Sequence, residues 1–181
     1  NTDGRGFIRS IKEEAKFKVE DKKVLIMGAG GAARAVSFQL ALEGVDELYI
    51  TNRSLNKAEN LAQDIRSKVD QEVEVITAEN IADIISKVDL LIDTTPVGMY
   101  PNQDVEPVID SKLLHSNLLV SDLVYNPVET VLLAEAKGAG AEIVSGLGML
   151  LYQGAIAFEI WTGREAPINT MRRVLKNNLM E

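Results

Sequence analysis

A short apolar run leads directly into a glycine-rich turn near the start of this chain. The run is Val24-Leu25-Ile26-Met27, and the turn is Gly28-Ala29-Gly30-Gly31-Ala32-Ala33. A buried strand, a tight turn and a helix that begins with small residues allow the backbone to approach a pyrophosphate, and the helix N-terminus attracts the anion. We therefore assign a phosphate-binding role to Gly28, Ala29, Gly30, Gly31 and Ala32.

The residues after the turn decide between this interpretation and a purely structural glycine turn, which is common. A helical pattern follows as far as Leu42, and a second apolar run begins at Glu47 and ends at Thr51. A β-α-β unit of about 30 residues would place its second strand there. The spacing therefore favours a dinucleotide site.

Apolar runs alternate with helical patterns along the rest of the chain, which is typical of a parallel sheet covered by helices. We predict an α/β fold, a Rossmann-type doubly wound parallel sheet of six strands in the order 3-2-1-4-5-6. The predicted strands are Val24–Met27, Leu48–Thr51, Val73–Ile76, Leu90–Asp93, Leu118–Asp122 and Ile143–Ser145. The predicted helices between them are Gly31–Glu43, Leu55–Val69, Asn80–Lys87 and Val128–Lys137.

Local signals mark some of these helix boundaries. Ser54 is a candidate cap for the helix that begins at Leu55. Asn126 and Pro127 predict an N-cap and a first helical residue, and Gly138 predicts the end of that helix.

Additional helices are predicted at both ends of the chain, at about residues 4–18, 149–161 and 168–179. A Rossmann core of about residues 22–146 does not need them. We expect one cofactor-binding domain over residues 1–181, whose flanking helices (about 4–18 and 149–179) face a second domain outside this chain.

Composition narrows the classes of partner. The net charge of −8 argues against nucleic-acid binding, and no apolar stretch is long enough to predict a membrane span. The chain has no cysteine, which fits a cytoplasmic location. His115 is the single histidine and is predicted to be structural, and no cluster of side chains has the spacing of a metal site.

The end of the second predicted strand bears on cofactor choice. NAD sites usually place an acidic residue there to bind the ribose 2′-hydroxyl. This chain has Thr51-Asn52-Arg53-Ser54 instead, with Lys57 one helical turn later. Arg53 and Lys57 could bind the 2′-phosphate of NADP, and the alternative is an ordinary solvated basic pair. The missing acid favours NADP.

Six segments of the chain together resemble shikimate dehydrogenase. They are Asn1-Thr2-Asp3-Gly4, the glycine turn, Asn52-Arg53-Ser54, Thr95-Pro96-Val97-Gly98-Met99, Asp122-Leu123-Val124-Tyr125-Asn126-Pro127, and the segment from Gly146 to Gly154. The resemblance is collinear over the chain and covers the cofactor-binding half of that family's enzyme. It implies NADPH-dependent reduction of 3-dehydroshikimate to shikimate, a step of the shikimate pathway towards chorismate and the aromatic amino acids. It also implies that the N-terminal substrate domain, with the catalytic lysine, is absent, so that the chain alone is incomplete.

The resemblance also assigns roles to individual residues. Asp3 would pair with the catalytic lysine and contact the substrate hydroxyls, whereas its interpretation from the sequence alone is a helix N-cap. Gln153 and Tyr125 would contact the substrate. The remaining cofactor-binding assignments are Asn52, Arg53, Ser54, Lys57, Thr94, Thr95, Gly146 and Met149.

One residue departs from the family's pattern, which commonly has Asn where this chain has Asp93. An acid there would either weaken NADPH binding by repulsion or point away and cap the following loop.

Two alternatives stay open at this stage. One is a relative that oxidises quinate with NAD or NADP, and the other is an NADP-binding module without chemistry. The expected partners are a small-molecule substrate and a second copy of the chain in a homodimer, with no nucleic acid and no membrane.

Overall fold

A single parallel sheet forms the centre of the protein. The structure is a computed structural model that describes residues 1–179, so that residues 180 and 181 of the predicted domain lie outside the described residues. The strands are β1 (Lys23–Met27), β2 (Glu47–Thr51), β3 (Val73–Val75), β4 (Leu90–Asp93), β5 (Leu119–Asp122) and β6 (Glu142–Ser145). Their order is β3-β2-β1-β4-β5-β6, which confirms the predicted doubly wound topology.

Helices cover both faces of this sheet. They are α1 (Asp3–Glu14), α2 (Gly31–Leu42), α3 (Leu55–Val69), α4 (Ile81–Ile85), α5 (Val131–Gly138), α6 (Gly146–Thr162) and α7 (Ile168–Leu179). Short 3₁₀ helices lie at Ala78–Asn80 and Ser111–Leu113. Within the described part of the chain, no helix is long and apolar enough to cross a membrane.

The strands are apolar on both faces, as expected for a parallel sheet buried between helices. Val24 and Ile26 of β1 point into a core formed with α1, α2 and α3. Leu25 and Met27 point into the opposite core, formed with α4 and α5. The alternation of side chains along β1 therefore divides the interior into two layers.

Some predicted helix boundaries are wrong, and each has a local cause. The helix predicted from Val128 begins at Val131, because Thr130 is its N-cap and accepts a hydrogen bond from the Leu133 N–H at 3.4 Å. Gly138 is the last residue of that helix, and the turn with positive φ falls at Gly140.

The terminal helices also differ from their predicted bounds. The first one ends at Glu14 rather than near residue 18, since Lys16 adopts a left-handed conformation with φ of 52°. The helix predicted from Met149 begins earlier, at Gly146. Ser54 occupies the N-cap position of α3, but its side chain makes no capping hydrogen bond.

Helix α1 is tightly packed into the domain through two glycines. A Cβ atom on Gly4 would lie 2.5 Å from the Ala35 carbonyl oxygen of α2. A Cβ atom on Gly6 would lie 2.6 Å from the Gln153 backbone nitrogen of α6. The absence of side chains at these positions therefore allows α1 to contact α2 and α6 closely.

Helix α7 is attached differently, because none of its described residues is buried. Arg172 donates to Glu14 Oε1 at 3.0 Å and to the Tyr152 hydroxyl at 2.8 Å. Its guanidinium also lies 5.6 Å from the centre of the Tyr152 ring. Polar contacts of one arginine thus link α7 to α1 and α6.

Candidate functional site

The strand order reverses between β1 and β4, and ligands of doubly wound sheets bind at the carboxyl ends of the strands at such a point. The glycine turn lies there, directly after β1. Gly28 has φ of +112°, a conformation that favours glycine, and its N–H donates to the Thr51 carbonyl at 2.8 Å. A Cβ atom on Gly28 would overlap Thr94 Oγ1. The fold itself therefore requires glycine at this position.

Gly30 and Gly31 lack any such internal reason for being glycine. Apart from chain neighbours and the backbone of the same helix, no atom of residues 1–179 lies within 4 Å of a Cβ atom built on either residue. Gly30 has φ of −89° and is the N-cap of α2, with no side-chain capping hydrogen bond. The N-terminus of this 12-residue helix therefore has no side-chain cap from its N-cap residue, and its first-turn N–H groups suit an anion.

Thr94 supports the turn from the neighbouring strand. Its hydroxyl donates to the Met27 carbonyl at 2.7 Å, and its N–H donates to the same oxygen at 2.9 Å. Thr95 Oγ1 accepts from the Val97 N–H at 3.3 Å. These contacts give both threonines a role in shaping the backbone of the site, and their direct contact with a cofactor stays a prediction.

The basic residues after β2 are available to a ligand. Arg53 and Lys57 are exposed, and neither forms an ion pair with another described residue. Asn52 Nδ2 donates to the Ser54 carbonyl at 2.9 Å, which orders the short connection that carries Arg53. The segment therefore presents two cations at the carboxyl end of β2 without a neutralising partner.

Asp93, the residue that departs from the family's pattern, is almost completely buried, with 1% of its surface exposed. Its Oδ1 accepts from the Thr95 N–H at 2.7 Å, so that Asp93 caps the loop after β4. Capping of this loop is one of the two alternatives that the sequence left open. Burial raises the pKa of Asp93 to about 7, and the neighbouring Asp122 adds to the rise. Hydrogen bonds from Thr95 act in the opposite direction.

Asp122 and Thr130 form a second buried polar contact, which sequence reasoning missed. Asp122 Oδ2 accepts from the Thr130 hydroxyl at 2.6 Å, and its Oδ1 accepts from the Val124 N–H at 2.9 Å. Burial raises the pKa of Asp122, and both of these hydrogen bonds oppose that rise. The sequence did contain a sign of this contact, because Asp122 ends an apolar strand just as Asp93 does.

Two of the residues predicted to bind the cofactor, Gly146 and Met149, have internal packing roles. A Cβ atom on Gly146 would overlap the Leu123 carbonyl oxygen, and the Gly146 N–H donates to the Val124 carbonyl at 3.1 Å. Met149 is buried in the core below α1 and α2. Their contact with a cofactor stays a prediction.

The predicted substrate residues are free to bind a ligand. Thr2 rather than Asp3 is the N-cap of α1, so the interpretation of Asp3 as a helix cap is wrong. Among described residues, the carboxylate of Asp3, the amide of Gln153 and the hydroxyl of Tyr125 form no hydrogen bond. Asp3 lies one turn before Gly6, which contacts Gln153, so α1 and α6 bring these two polar side chains to neighbouring helices.

Two other features lie outside this site. A concavity at the β2–β3 edge has acidic residues in its lining, among them Glu47, Glu59, Glu72 and Glu74, and its lining contains no residue of the glycine turn. In residues 1–179, no group of three or more His, Asp or Glu side chains could hold a metal ion. His115 bonds the Ile85 carbonyl at 3.1 Å, away from the predicted site residues.

The sheet order and the open glycine turn together define a doubly wound α/β protein of the dinucleotide-binding class. Residues 10–127 match the family model of shikimate / quinate 5-dehydrogenase, and residues 146–176 match that of the shikimate 5'-dehydrogenase C-terminal domain. The chain belongs to the shikimate/quinate 5-dehydrogenase family.

Individual relatives agree with this assignment. The NADP(+) shikimate dehydrogenase of Methanopyrus kandleri is 51% identical over 99% of this chain and 62% of its own length. A shikimate dehydrogenase crystallised with NADP+ is 45% identical over 100% of this chain and 62% of that chain, with a TM-score of 0.92. The Listeria monocytogenes shikimate 5-dehydrogenase crystallised with shikimate and NAD is 39% identical over 96% of this chain and 62% of that chain, with a TM-score of 0.90. The chain thus spans just over three fifths of the length of these relatives.

Proposed function

We propose that this chain binds NADP(H) through the glycine turn after β1 and the basic segment after β2. The observation that carries the proposal is the open space at Gly30 and Gly31, where the chain has no internal need for glycine. The uncapped N-terminus of α2 suits the pyrophosphate. Arg53 and Lys57 suit the 2′-phosphate, because they are unpaired among the described residues and no acidic residue follows β2.

The proposed reaction is the NADPH-dependent reduction of 3-dehydroshikimate to shikimate. NADPH, when bound, supplies the hydride. Asp3 would orient and charge a neighbouring lysine for proton transfer, since a carboxylate stabilises the protonated amine. Gln153 and Tyr125 would hydrogen-bond the substrate hydroxyls, and their polar groups have no competing partner among the described residues.

The lysine itself would belong to an N-terminal substrate domain, as the family resemblance implies, and that domain would pack against α1, α6 and α7. We therefore propose that residues 1–181 form the cofactor-binding unit, with a Rossmann core at about 22–146, and that turnover needs the substrate domain. Support comes from the free side chains of Asp3 and Gln153 on α1 and α6, which a pure cofactor binder does not need.

Location and assembly remain predictions. The cysteine-free sequence fits a cytoplasmic location. A homodimer stays an expectation.

Calorimetry with NADPH and NADH tests cofactor binding by the 181-residue chain. We expect tight binding of NADPH and weaker binding of NADH. Absorbance measurements with NADP and shikimate, and then with quinate, test turnover. Binding without turnover supports the proposal, binding with turnover would show that the chain carries the whole reaction, and binding of neither cofactor would refute the cofactor assignment.

A further inference from the structure

Two buried carboxyl groups lie side by side at the carboxyl end of the sheet. Asp93 ends β4, Asp122 ends β5, and the two residues are direct partners in the parallel β4–β5 register. Register partners of parallel strands point to the same face of a sheet. Both residues are 1% exposed, and both line the small pocket below the loop that contains Val97 and Val105.

Among residues 1–179, no cation pairs with either of these two carboxyl groups. The pocket wall consists of Val97, Gly98, Val105 and Pro107 from the loop and of Thr130, Val131 and Leu132 at the start of α5. The titratable groups on these elements are Tyr100, Asp104, Glu106, Glu129 and Lys137, which are exposed, and Glu135, which is half-buried. Asp122 is therefore the charged group that acts on Asp93 and adds to the rise of its pKa.

Each carboxyl group orders the loop that follows its own strand. Asp93 accepts from the Thr95 N–H at 2.7 Å and so orders the segment predicted to contact the cofactor. Asp122 accepts from the Val124 N–H and the Thr130 hydroxyl and so closes the loop that carries Tyr125. The two loops also meet where the Tyr100 N–H donates to the Asn126 carbonyl at 2.9 Å.

Two ionised carboxylates at paired strand positions, both 1% exposed and without an ion-pair partner among the described residues, would repel each other strongly. We propose that Asp93 and Asp122 form one acid–carboxylate pair that holds a single proton, and that this pair positions the Thr94–Thr95 segment and the Tyr125 loop relative to each other. Loss of the shared proton adds a negative charge beside the cofactor segment and drives the two loops apart. The pair is a positioning device for the proposed NADPH site, and this part of the inference depends on the proposed function.

The shared proton can be tested without any cofactor, by ¹³C NMR of the aspartate carboxyl carbons in the full chain. In the unmodified chain, we expect one carboxyl of the pair to lose its proton near neutral pH. Asp122→Asn removes the neighbouring charge and should move the Asp93 titration to lower pH. If that variant fails to fold, Thr130→Val serves instead, because loss of the hydroxyl donor shifts the proton towards Asp122 and lowers the Asp93 midpoint in the same way.

The positioning role is tested by the pH profile of NADPH affinity. We expect the affinity of the unmodified chain to fall roughly tenfold between about pH 6.5 and about pH 8.5, because the site gains a charge and loses its alignment. Asp93→Asn is the matched control, since it keeps an oxygen acceptor for the Thr95 N–H and cannot ionise. Every other group that ionises over this range is common to both proteins, so the difference between the two profiles isolates Asp93.

Three results would overturn the inference: ionisation of both carboxyls well below neutral pH, an unchanged Asp93 midpoint in Asp122→Asn, or the same pH profile in Asp93→Asn as in the unmodified chain. A chain that binds no NADPH at any pH would instead refute the proposed function. In that case the NMR titration still supports or overturns the shared proton, because it uses no cofactor.

Discussion

The hydroxyl of Thr94 occupies the space that a Cβ atom on Gly28 would need. It also donates to the carbonyl of Met27, the last residue of β1. The end of β4 thus determines the path of the chain as it leaves β1 and enters the glycine turn. Gly28 is required by the fold, whereas Gly30, two residues later, faces open space.

Alanine substitutions at these two glycines should separate stability from binding. Gly28→Ala should destabilise the fold by about 1–3 kcal/mol, because it adds a steric overlap and requires a positive φ. Gly30→Ala should leave the free energy of unfolding nearly unchanged and lower NADPH affinity, because its methyl group would occupy the space proposed for the pyrophosphate. Denaturant unfolding and calorimetry measure the two effects. Equal NADPH binding by Gly30→Ala and the unmodified chain would place the pyrophosphate elsewhere.

Arg53→Asp should change the preference between the two nicotinamide cofactors. Loss of a charge-assisted contact to the 2′-phosphate costs about 1.5–3 kcal/mol, so NADPH affinity should fall about tenfold to a hundredfold. NADH affinity should stay the same or rise, since the new acid can bind the ribose hydroxyls. Arg173→Asp on the exposed surface of α7 is the charge-matched control. An equal loss of NADPH affinity in both variants would mean that net charge, rather than a specific contact of Arg53, causes the effect.

The stability of the protein should depend on pH through Asp93. Its pKa in the folded state is about 7, above the ordinary value of 3.8, so the folded state binds the proton more tightly than the unfolded state. The resulting stabilisation of the folded state, about 4 kcal/mol in total, is fully present below about pH 4 and is lost as the pH rises through about 7. The free energy of unfolding of Asp93→Asn should not fall in this way as the pH rises. Unfolding by denaturant at several pH values checks the difference, and parallel curves for the two proteins would contradict it.

Gly6→Ala tests the close contact between α1 and α6. The added methyl group would lie 2.6 Å from the Gln153 nitrogen, so the two helices must separate. We expect a loss of about 1–3 kcal/mol in the free energy of unfolding. Gly138→Ala, also helical but with no atom within 4 Å of its Cβ position, is the control and should stabilise the fold by about 0.5–1 kcal/mol. If both variants have the same stability, the glycine does not limit the helix contact.

Much of this architecture could be predicted from the sequence because its signals are local. The apolar runs that end at Met27, Thr51 and Asp93 are short, separated by helical patterns and correctly predicted as strands. The order of the strands followed from the position of the glycine turn at the start of a β-α-β unit. Boundaries were less predictable where tertiary contacts compete with local signals: Thr130 rather than Asn126 caps α5, because Asp122 on the neighbouring strand holds its hydroxyl.

The sequence by itself determined the class of fold, the glycine turn and the absence of an acid after β2, since each depends on residues close together in the chain. Only the tertiary structure decided which glycines serve the fold and which leave room for a ligand, because a Cβ contact involves distant residues such as Gly28 and Thr94. It also decided the role of Asp93. From the sequence alone, Asp93 is a charged residue in a motif. Strand pairing places it beside Asp122 in a buried pocket, where desolvation and repulsion favour the protonated form of Asp93.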